Sequence, residues 1–422
     1  MANDGSTTRV LILGGGFGGI GAAQAFKDAE AEVVLADAHD YHTFQPLLYQ
    51  VATDLLAPSV VGHPIRDLFH EQSNVAVHQA TAEKLDLAGR QVQFAEMDPI
   101  TYDHLVLALG ARVNFFGVQG AQEHAFPMYT LPDAMRIREH VLQKWEAADR
   151  DPSLIDDGAL NVVIVGGGPT GVESAGAMAE LYRSNFANDF PGIPQEKAGI
   201  TLVEGGPALF SMFQPKLQRY AKEALEKRDV DIMLNEVVAS VEPTRVTLRS
   251  GTELRAHTLV WGAGLHAHPI ATSLGIDLEK GDRIPVGPDL SVVGHPEVFA
   301  VGDIAWITDT GTGEVLPQLG SVALQSGEHA GANIARQIAG KKATPFVYKD
   351  KGSMATIGRG AAVVQFHRGR TMTGKKASLA WGAVHLALLS KGEDRAKAVV
   401  EWTWAGFTHD RSGRINVKTD EE

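Results

Sequence analysis

The stretch Arg9-Val-Leu-Ile-Leu-Gly-Gly-Gly-Phe-Gly-Gly-Ile-Gly, residues 9–21, decides the fold class. Val10 to Leu13 form an apolar run without polar alternation, the pattern of a parallel-sheet strand covered on both faces. Gly14, Gly16 and Gly19 follow at G-x-G-x-x-G spacing. The first glycine turns the chain sharply off the strand, the second lets backbone close on a pyrophosphate, and the third lets the new helix pack tightly on the strand. Amide N–H groups at that helix start, reinforced by the helix dipole, attract phosphate. A second apolar strand, Val33 to Ala36, ends at Asp37, where a ribose-binding carboxylate belongs.

The pattern recurs. Leu160-Asn-Val-Val-Ile-Val-Gly-Gly-Gly-Pro-Thr-Gly-Val-Glu, residues 160–173, places Gly166, Gly168 and Gly171 at the same spacing, and a strand from Ile200 to Val203 ends at Glu204. One glycine turn is weak evidence; two strand–turn–helix–strand–acid units are far stronger, because each must meet several conditions at once. The expectation is an α/β fold with two Rossmann-like dinucleotide-binding domains plus a C-terminal mixed α/β segment. Glu204 favours NADH over NADPH, since a carboxylate accepts hydrogen bonds from a free ribose diol and repels a 2′-phosphate. A solvated acid at a strand end is the blander reading of the same residue.

Composition narrows the chemistry. At 422 residues two or three domains are expected, and 44% apolar with 21% charged residues fits a globular protein. A net charge of −13 argues against general nucleic-acid binding, which needs a basic field. The chain has no cysteine, which excludes a redox-active disulfide, a thiolate nucleophile, thiolate-bound zinc and cysteine-bound iron–sulfur clusters. The 16 histidines include no H-E-x-x-H, and no serine sits in G-x-S-x-G, so neither a metal site nor a hydrolase is expected. The polar N-terminus, Met1 to Thr8, shows no signal peptide, and no apolar run approaches the ~20 residues of a membrane-spanning helix.

Along the rest of the chain, the patterns predict a helix-like stretch over 64–70, a small β element over 75–107 and an amphipathic helix over 130–149. A loop over 151–158 follows, and later a helix over 207–228 with Leu217, Tyr220, Ala221 and Leu225 on one stripe. Strands at 231–234, 245–248 and 258–261 lead into Gly262-Ala-Gly264, as the strand 102–108 leads to Gly110. A further strand ends in Gly302-Asp303, residues 321–339 read as helix, and 345–417 as strands followed by helix.

These residues carry a family likeness. The chain resembles the flavoproteins with two dinucleotide-binding domains, and more closely the type II NADH dehydrogenases, which are single-chain NADH:quinone oxidoreductases. The resemblance covers about residues 8–410. Its most specific part is Asp40-Tyr-His-Thr-Phe-Gln-Pro-Leu-Leu-Tyr-Gln-Val-Ala-Thr, residues 40–53, similar to that family's flavin-side loop. Similar also are Tyr102-Asp-His-Leu-Val-Leu-Ala-Leu-Gly-Ala, Val298-Phe-Ala-Val-Gly-Asp and Gly352-Ser-Met-Ala-Thr-Ile-Gly-Arg. The resemblance implies FAD held by Gly14, Gly16, Phe17, Gly18 and Gly19, its adenosine ribose by Asp37, and the rest by Thr43, Ala82, Ala108, Gly110, Gly302, Asp303 and Val322. It implies NADH held by Gly166, Gly168, Pro169, Thr170, Gly171, Glu204 and Gly264. Residues 8–112 and 265–335 would form a discontinuous FAD-binding domain and 113–264 the inserted NADH-binding domain. Residues 336–422 would form a C-terminal segment for the acceptor, membrane association or dimer formation.

The same resemblance nominates catalytic residues. Glu173, expected in the first turn of the second unit's helix, lies near nicotinamide and flavin in related enzymes, although the helix dipole favours an acid there equally well. The family's quinone-side motif is usually Ala-Gln-x-Ala-x-Gln; residues 320–325 here read Gly-Ser-Val-Ala-Leu-Gln. Gln325 matches, while Ser321 replaces a carboxamide with a shorter hydroxyl. Both are candidates to bind the acceptor carbonyl, with Gln318 as a partial substitute and a helix-surface role as the plainer account of Gln325.

Leu379 to Leu389 is apolar except for His385, and residues 365–397 carry seven Lys/Arg against two Asp/Glu. With Trp381, Trp402, Trp404 and Phe407, this suits a helix on an anionic membrane surface, or one packed on the body or a twin subunit. The expected function is hydride transfer from NADH to FAD, then two electrons to a quinone, without proton pumping, in the cytoplasm or on the inner face of the cell membrane. The alternatives are a soluble NAD(P)H:FAD oxidoreductase that uses oxygen, a small electron-transfer protein or a dye, and a flavin-loaded redox sensor or assembly partner with very slow turnover on every acceptor.

Overall fold

The computed structural model describes residues 7–408. Residues 1–6 and 409–422 lie outside it, and with them most of the N-terminal stretch read for a signal peptide and the end of the C-terminal segment. By contact the chain divides into two compact units. The first takes the chain up to Thr43, then His63–Arg112 and Leu265–Lys349; the second takes Phe44–Gly62, Val113–Gly264 and the chain from Asp350 onward.

The first unit is built on β1 (Thr8–Leu13), α1 (Phe17–Gln24) and β2 (Ala31–Asp37). β1 pairs with β2 in parallel, Val10 opposite Val33 and Leu13 opposite Ala36, and on its other side with His104–Leu107. Val75–Gln79 flanks β2, and His295–Ala300 flanks His104–Leu107. A short antiparallel strand, Ser291–Val292, completes the six-stranded sheet. Val10 to Leu13 are fully buried, as a strand covered on both faces must be.

The second unit repeats this plan with β3 (Val162–Val165), α2 (Pro169–Glu180), β4 (Ile200–Glu204) and β5 (Thr258–Trp261). Its five-stranded sheet runs Phe126–Pro127, β5, β3, β4, Val230–Leu234, all parallel. Each unit also carries a small antiparallel sheet before its last central strand: Ala82–Asp86, Gln91–Phe94 and Ile100–Thr101 in the first, Val238–Glu242, Arg245–Leu248 and Glu253–Arg255 in the second. The expected small β element over 75–107 is therefore two structures, because its end strands, Val75–Gln79 and His104–Leu107, join the main sheet.

A long helix, α3 (Gly320–Ile338), returns to the first unit and lies on α1 with backbones in contact. A Cβ on Gly327 would sit 2.0 Å from the Gly18 carbonyl oxygen, and one on Gly331 2.4 Å from that of Ala22. Glycine is therefore a packing requirement at this crossing. In the second unit, α4 (Gly374–Leu388) and α5 (Gly392–Thr408) close the described chain.

Element boundaries differ from expectation in places, and the helix-like stretch over 64–70 narrows to Ile65–Leu68. The helix read over 207–228 runs only from Pro215 to Glu226, since proline is suited to a first helical turn and the preceding residues form turns. The expected loop over 151–158 contains a short helix, Ser153–Asp156, whose Ser153 N–H donates to Asp151 Oδ1 at 3.1 Å.

Candidate functional site

The two glycine turns are near-copies in three dimensions. Gly14 and Gly166 adopt φ +104° and +110°, a backbone that L side chains rarely take. A Cβ on Gly19 would lie 1.7 Å from the Gly14 carbonyl oxygen, and one on Gly171 1.8 Å from that of Gly166, so the third glycine seats each helix on its own turn. The middle positions behave oppositely. A Cβ on Gly16 or Gly168 would meet nothing within 4 Å, so those faces are open. Gly16 and Gly168 are the N-cap residues of α1 and α2, and no side chain caps either helix. An open face before uncapped helix N–H groups suits a dinucleotide's pyrophosphate, and both cradles pass this test of fit. Pro169 occupies the first helical position of α2, and the Thr170 methyl packs where a Cβ on Gly262 would come within 3.3 Å.

The acids are also matched. Asp37 Oδ2 accepts the Gly15 N–H at 2.6 Å and its Oδ1 the His39 N–H at 2.7 Å. Glu204 Oε2 accepts the Gly167 N–H at 2.5 Å and its Oε1 the Gly206 N–H at 2.6 Å. Each carboxylate thus holds its turn in place and keeps lone pairs for a ribose diol. Burial pushes the pKa of Asp37 up, but the His39 ring and the Gly15 and His39 N–H groups outweigh it, and the carboxyl ends below its ordinary value.

Of the remaining first-unit residues, Ala108, Gly302 and Val322 lie by the starts of α1 and α3. The Ala108 carbonyl oxygen lies 2.4 Å from where a Gly14 Cβ would be. Gly302, at φ +69°, donates its N–H to Ser326 Oγ at 3.1 Å and faces Ala323. Val322 is buried, and Asp303 stabilises the charge of Arg283. Gly320 lies against the Phe17 ring, which meets His42 edge-on with centroids 5.0 Å apart. Gly110 is left-handed, at φ +69°. Thr43 ends a short strand, Tyr41–Thr43, and Ala82 begins Ala82–Asp86 and packs on the first unit's core.

The acceptor candidates are engaged with the irregular stretch after α3. Gln325 Nε2 donates to the Lys349 carbonyl at 3.2 Å, and its Oε1 accepts the Lys349 N–H at 3.1 Å. The Ser321 hydroxyl hydrogen-bonds the Tyr348 hydroxyl at 2.9 Å, and Gln318 Nε2 donates to the Asp303 carbonyl at 3.0 Å.

Glu173 belongs to the second unit and departs from expectation. It is the fifth residue of α2, past the first turn, so the helix dipole does not account for it. The side chain is buried, 8% exposed, and Oε1 accepts the Thr356 N–H at 3.1 Å. Burial raises its pKa to about 8, against the lowering effect of that hydrogen bond. Tyr49, also buried, is pushed well above the ordinary phenol range by burial and then by the Glu173 charge. From Tyr49 a hydrogen-bonded chain runs outward. Gln50 Nε2 donates to the Tyr49 hydroxyl and Trp402 Nε1 to Gln50 Oε1, both at 2.7 Å. No residue spacing announces this chain, because Gln50 and Trp402 lie 352 positions apart.

Gly264, at φ +72°, lies against an aromatic ring. The space of its absent side chain is filled from within the protein, since a Cβ there would lie 2.2 Å from Phe116 Cζ.

On α4 and α5 the aromatic residues divide. Trp381 is buried, stacked on His385 with centroids 4.2 Å apart, and is not an interfacial side chain. Leu379, Val384, Leu388, Val400, Trp404 and Phe407 are exposed, Phe407 at 86%. Among the described residues no helix is long and apolar enough to cross a membrane.

Fold and cradles together define a protein built to hold two dinucleotides. Residues 8–327 match the family model described as pyridine nucleotide-disulphide oxidoreductase. The chain is 35% identical over 415 residues to the type II NADH:quinone oxidoreductase NdhA of Mycobacterium tuberculosis, covering 94% of this chain and 87% of that one. It is 34% identical over 430 residues to the same organism's type II NADH:quinone oxidoreductase Ndh, covering 98% and 91%. In fold it is similar to NDH2 from Plasmodium falciparum, solved in complex with NADH, with a TM-score of 0.88 at 19% identity, covering 98% of this chain and all of that one. The chain belongs to the pyridine nucleotide-disulphide oxidoreductase family, among its type II NADH:quinone oxidoreductases. Having no cysteine, it cannot carry out the dithiol chemistry in that family's name.

Proposed function

We propose that this protein is an FAD-dependent NADH:quinone oxidoreductase that moves two electrons without pumping protons. The observation that carries this is the duplicated cradle, two open glycine turns each backed by a strand-end acid, in a chain 34–35% identical to named enzymes of this activity. When bound, FAD supplies the acceptor for the nicotinamide hydride and relays electron pairs to the quinone. The chain's own part is binding, orientation and charge.

Gly14, Gly16 and Gly19 with Asp37 hold the FAD pyrophosphate and adenosine ribose, and Gly302-Asp303 the ribityl side. Gly166, Gly168 and Gly171 with Glu204 hold NADH. Residues 8–112 and 265–335 serve FAD, 113–264 serve NADH, and 336–422 serve the acceptor and the membrane. Glu173, its pKa raised to about 8 by burial, is poised to hold or release one proton near neutral pH. Gln325 and Ser321 bind the acceptor carbonyl after giving up their present contacts with Lys349 and Tyr348.

The exposed apolar side chains of α4 and α5, with exposed Lys375, Lys376 and Arg395, dock the protein on the anionic cytoplasmic face of the membrane. This is where a quinone substrate is concentrated.

The test is anaerobic. NADH added to the purified yellow protein should bleach the flavin absorbance, and a menaquinone or ubiquinone analogue should restore it at a rate matching steady-state turnover. Unbleached flavin at saturating NADH refutes the donor, and bleached flavin that reoxidises with oxygen but with no quinone refutes the acceptor. Sedimentation with anionic and neutral vesicles tests the docking face; failure to bind either, with a concentration-dependent dimer instead, assigns that face to a twin subunit.

A further inference from the structure

We propose that Phe116 is the wall that positions the nicotinamide end of the dinucleotide in the second unit, a role that rests on the NADH reading above. Strand order places it there. Glu204 closes β4 on one side of β3, so the adenosine half lies on that side, and the dinucleotide crosses the Gly166–Gly171 turn toward the end of β5. Gly262-Ala-Gly264 follows β5, and the Phe116 ring covers Gly264.

The backbone that carries the ring is anchored. Phe116 has φ +53°, a left-handed backbone that is an outlier for a bulky residue. Asn114 Oδ1 accepts the Phe116 N–H at 2.7 Å, and the Asn114 N–H donates to the Gly264 carbonyl at 3.1 Å. Trp261 Nε1 donates to the carbonyls of Asn114, at 3.1 Å, and Ala263, at 2.7 Å. Yet Phe116 is 63% exposed, so little of its ring contributes to the core. Strained backbone, dedicated anchors and an exposed aromatic face together fit a ligand-facing side chain that stacks on a planar ring.

The test uses the FAD-loaded full chain with NAD⁺ and ADP-ribose, which lacks the nicotinamide, as probes. Phe116→Gly removes the ring and suits the left-handed backbone, so folding is retained. The variant should bind ADP-ribose within twofold of the parent and NAD⁺ about 3- to 10-fold more weakly, as expected for one lost aromatic stack. Phe116→Trp should restore NAD⁺ binding. Equal weakening of both probes, or none, overturns the role of Phe116 alone. A parent protein that binds neither probe overturns the NADH reading and this one with it.

Discussion

At the scale of single residues, the middle glycines and Glu173 separate binding from folding. A Cβ on Gly168 meets no protein atom within 4 Å, so Gly168→Ala should melt within a degree or two of the parent. The same methyl stands where a pyrophosphate must approach, so KM for NADH should rise about tenfold or more while flavin content stays unchanged. An equal loss of both cofactors would count against separate cradles. Glu173 supplies a pH signature. The native carboxyl keeps its proton to about pH 8, whereas the unfolded one releases it near 4.5. Across that window the native state binds more protons, so stability falls as pH rises. Each pH step of one within the window costs about 1.4 kcal/mol, so Glu173→Gln should remove roughly 2–4 kcal/mol of that decline. Urea unfolding at pH 5 and pH 8 measures it, and equal slopes in parent and variant would show the carboxyl to be ionised already.

At the scale of elements, the α1–α3 crossing is the least forgiving contact in the first unit. Gly327→Ala would drive a methyl to 2.0 Å from the Gly18 carbonyl, and since that neighbour is backbone, the helices must separate. The expected cost is about 1–3 kcal/mol, with accompanying loss of FAD because α1 carries the cradle. A variant with parental melting temperature and flavin content would mean the crossing relaxes freely. β1, β3 and both turns are legible in the sequence because their determinants are local: an unbroken apolar run, then glycines at fixed spacing. The α1–α3 seam is not, because Gly18 and Gly327 stand 309 positions apart and meet only in the folded chain. Glycine spacing alone puts Glu173 inside the first turn of its helix, when it lies just past it, and says nothing of its burial. Trp381 reads as interfacial from sequence because an amphipathic pattern does not say which apolar side chain faces inward. Nothing in the sequence marks Phe116 as left-handed, since phenylalanine itself does not favour a positive φ.

At the scale of the whole molecule, composition makes its own prediction. With no cysteine anywhere, NADH oxidation should survive N-ethylmaleimide or dithiothreitol unchanged, and a loss beyond twofold would implicate a group the sequence does not contain. The chain has instead used one nucleotide device twice, and the two copies share the carboxylate clasp on the glycine turn. That clasp bears on redesign. Exchanging Glu204 for a small neutral residue, the obvious route to a phosphorylated coenzyme, also strips one backbone anchor from the glycine turn that must greet the new ligand and one from the turn after β4. Coenzyme preference and loop rigidity are thus inherited together, and an engineer who wants to alter one must first build a replacement for the other.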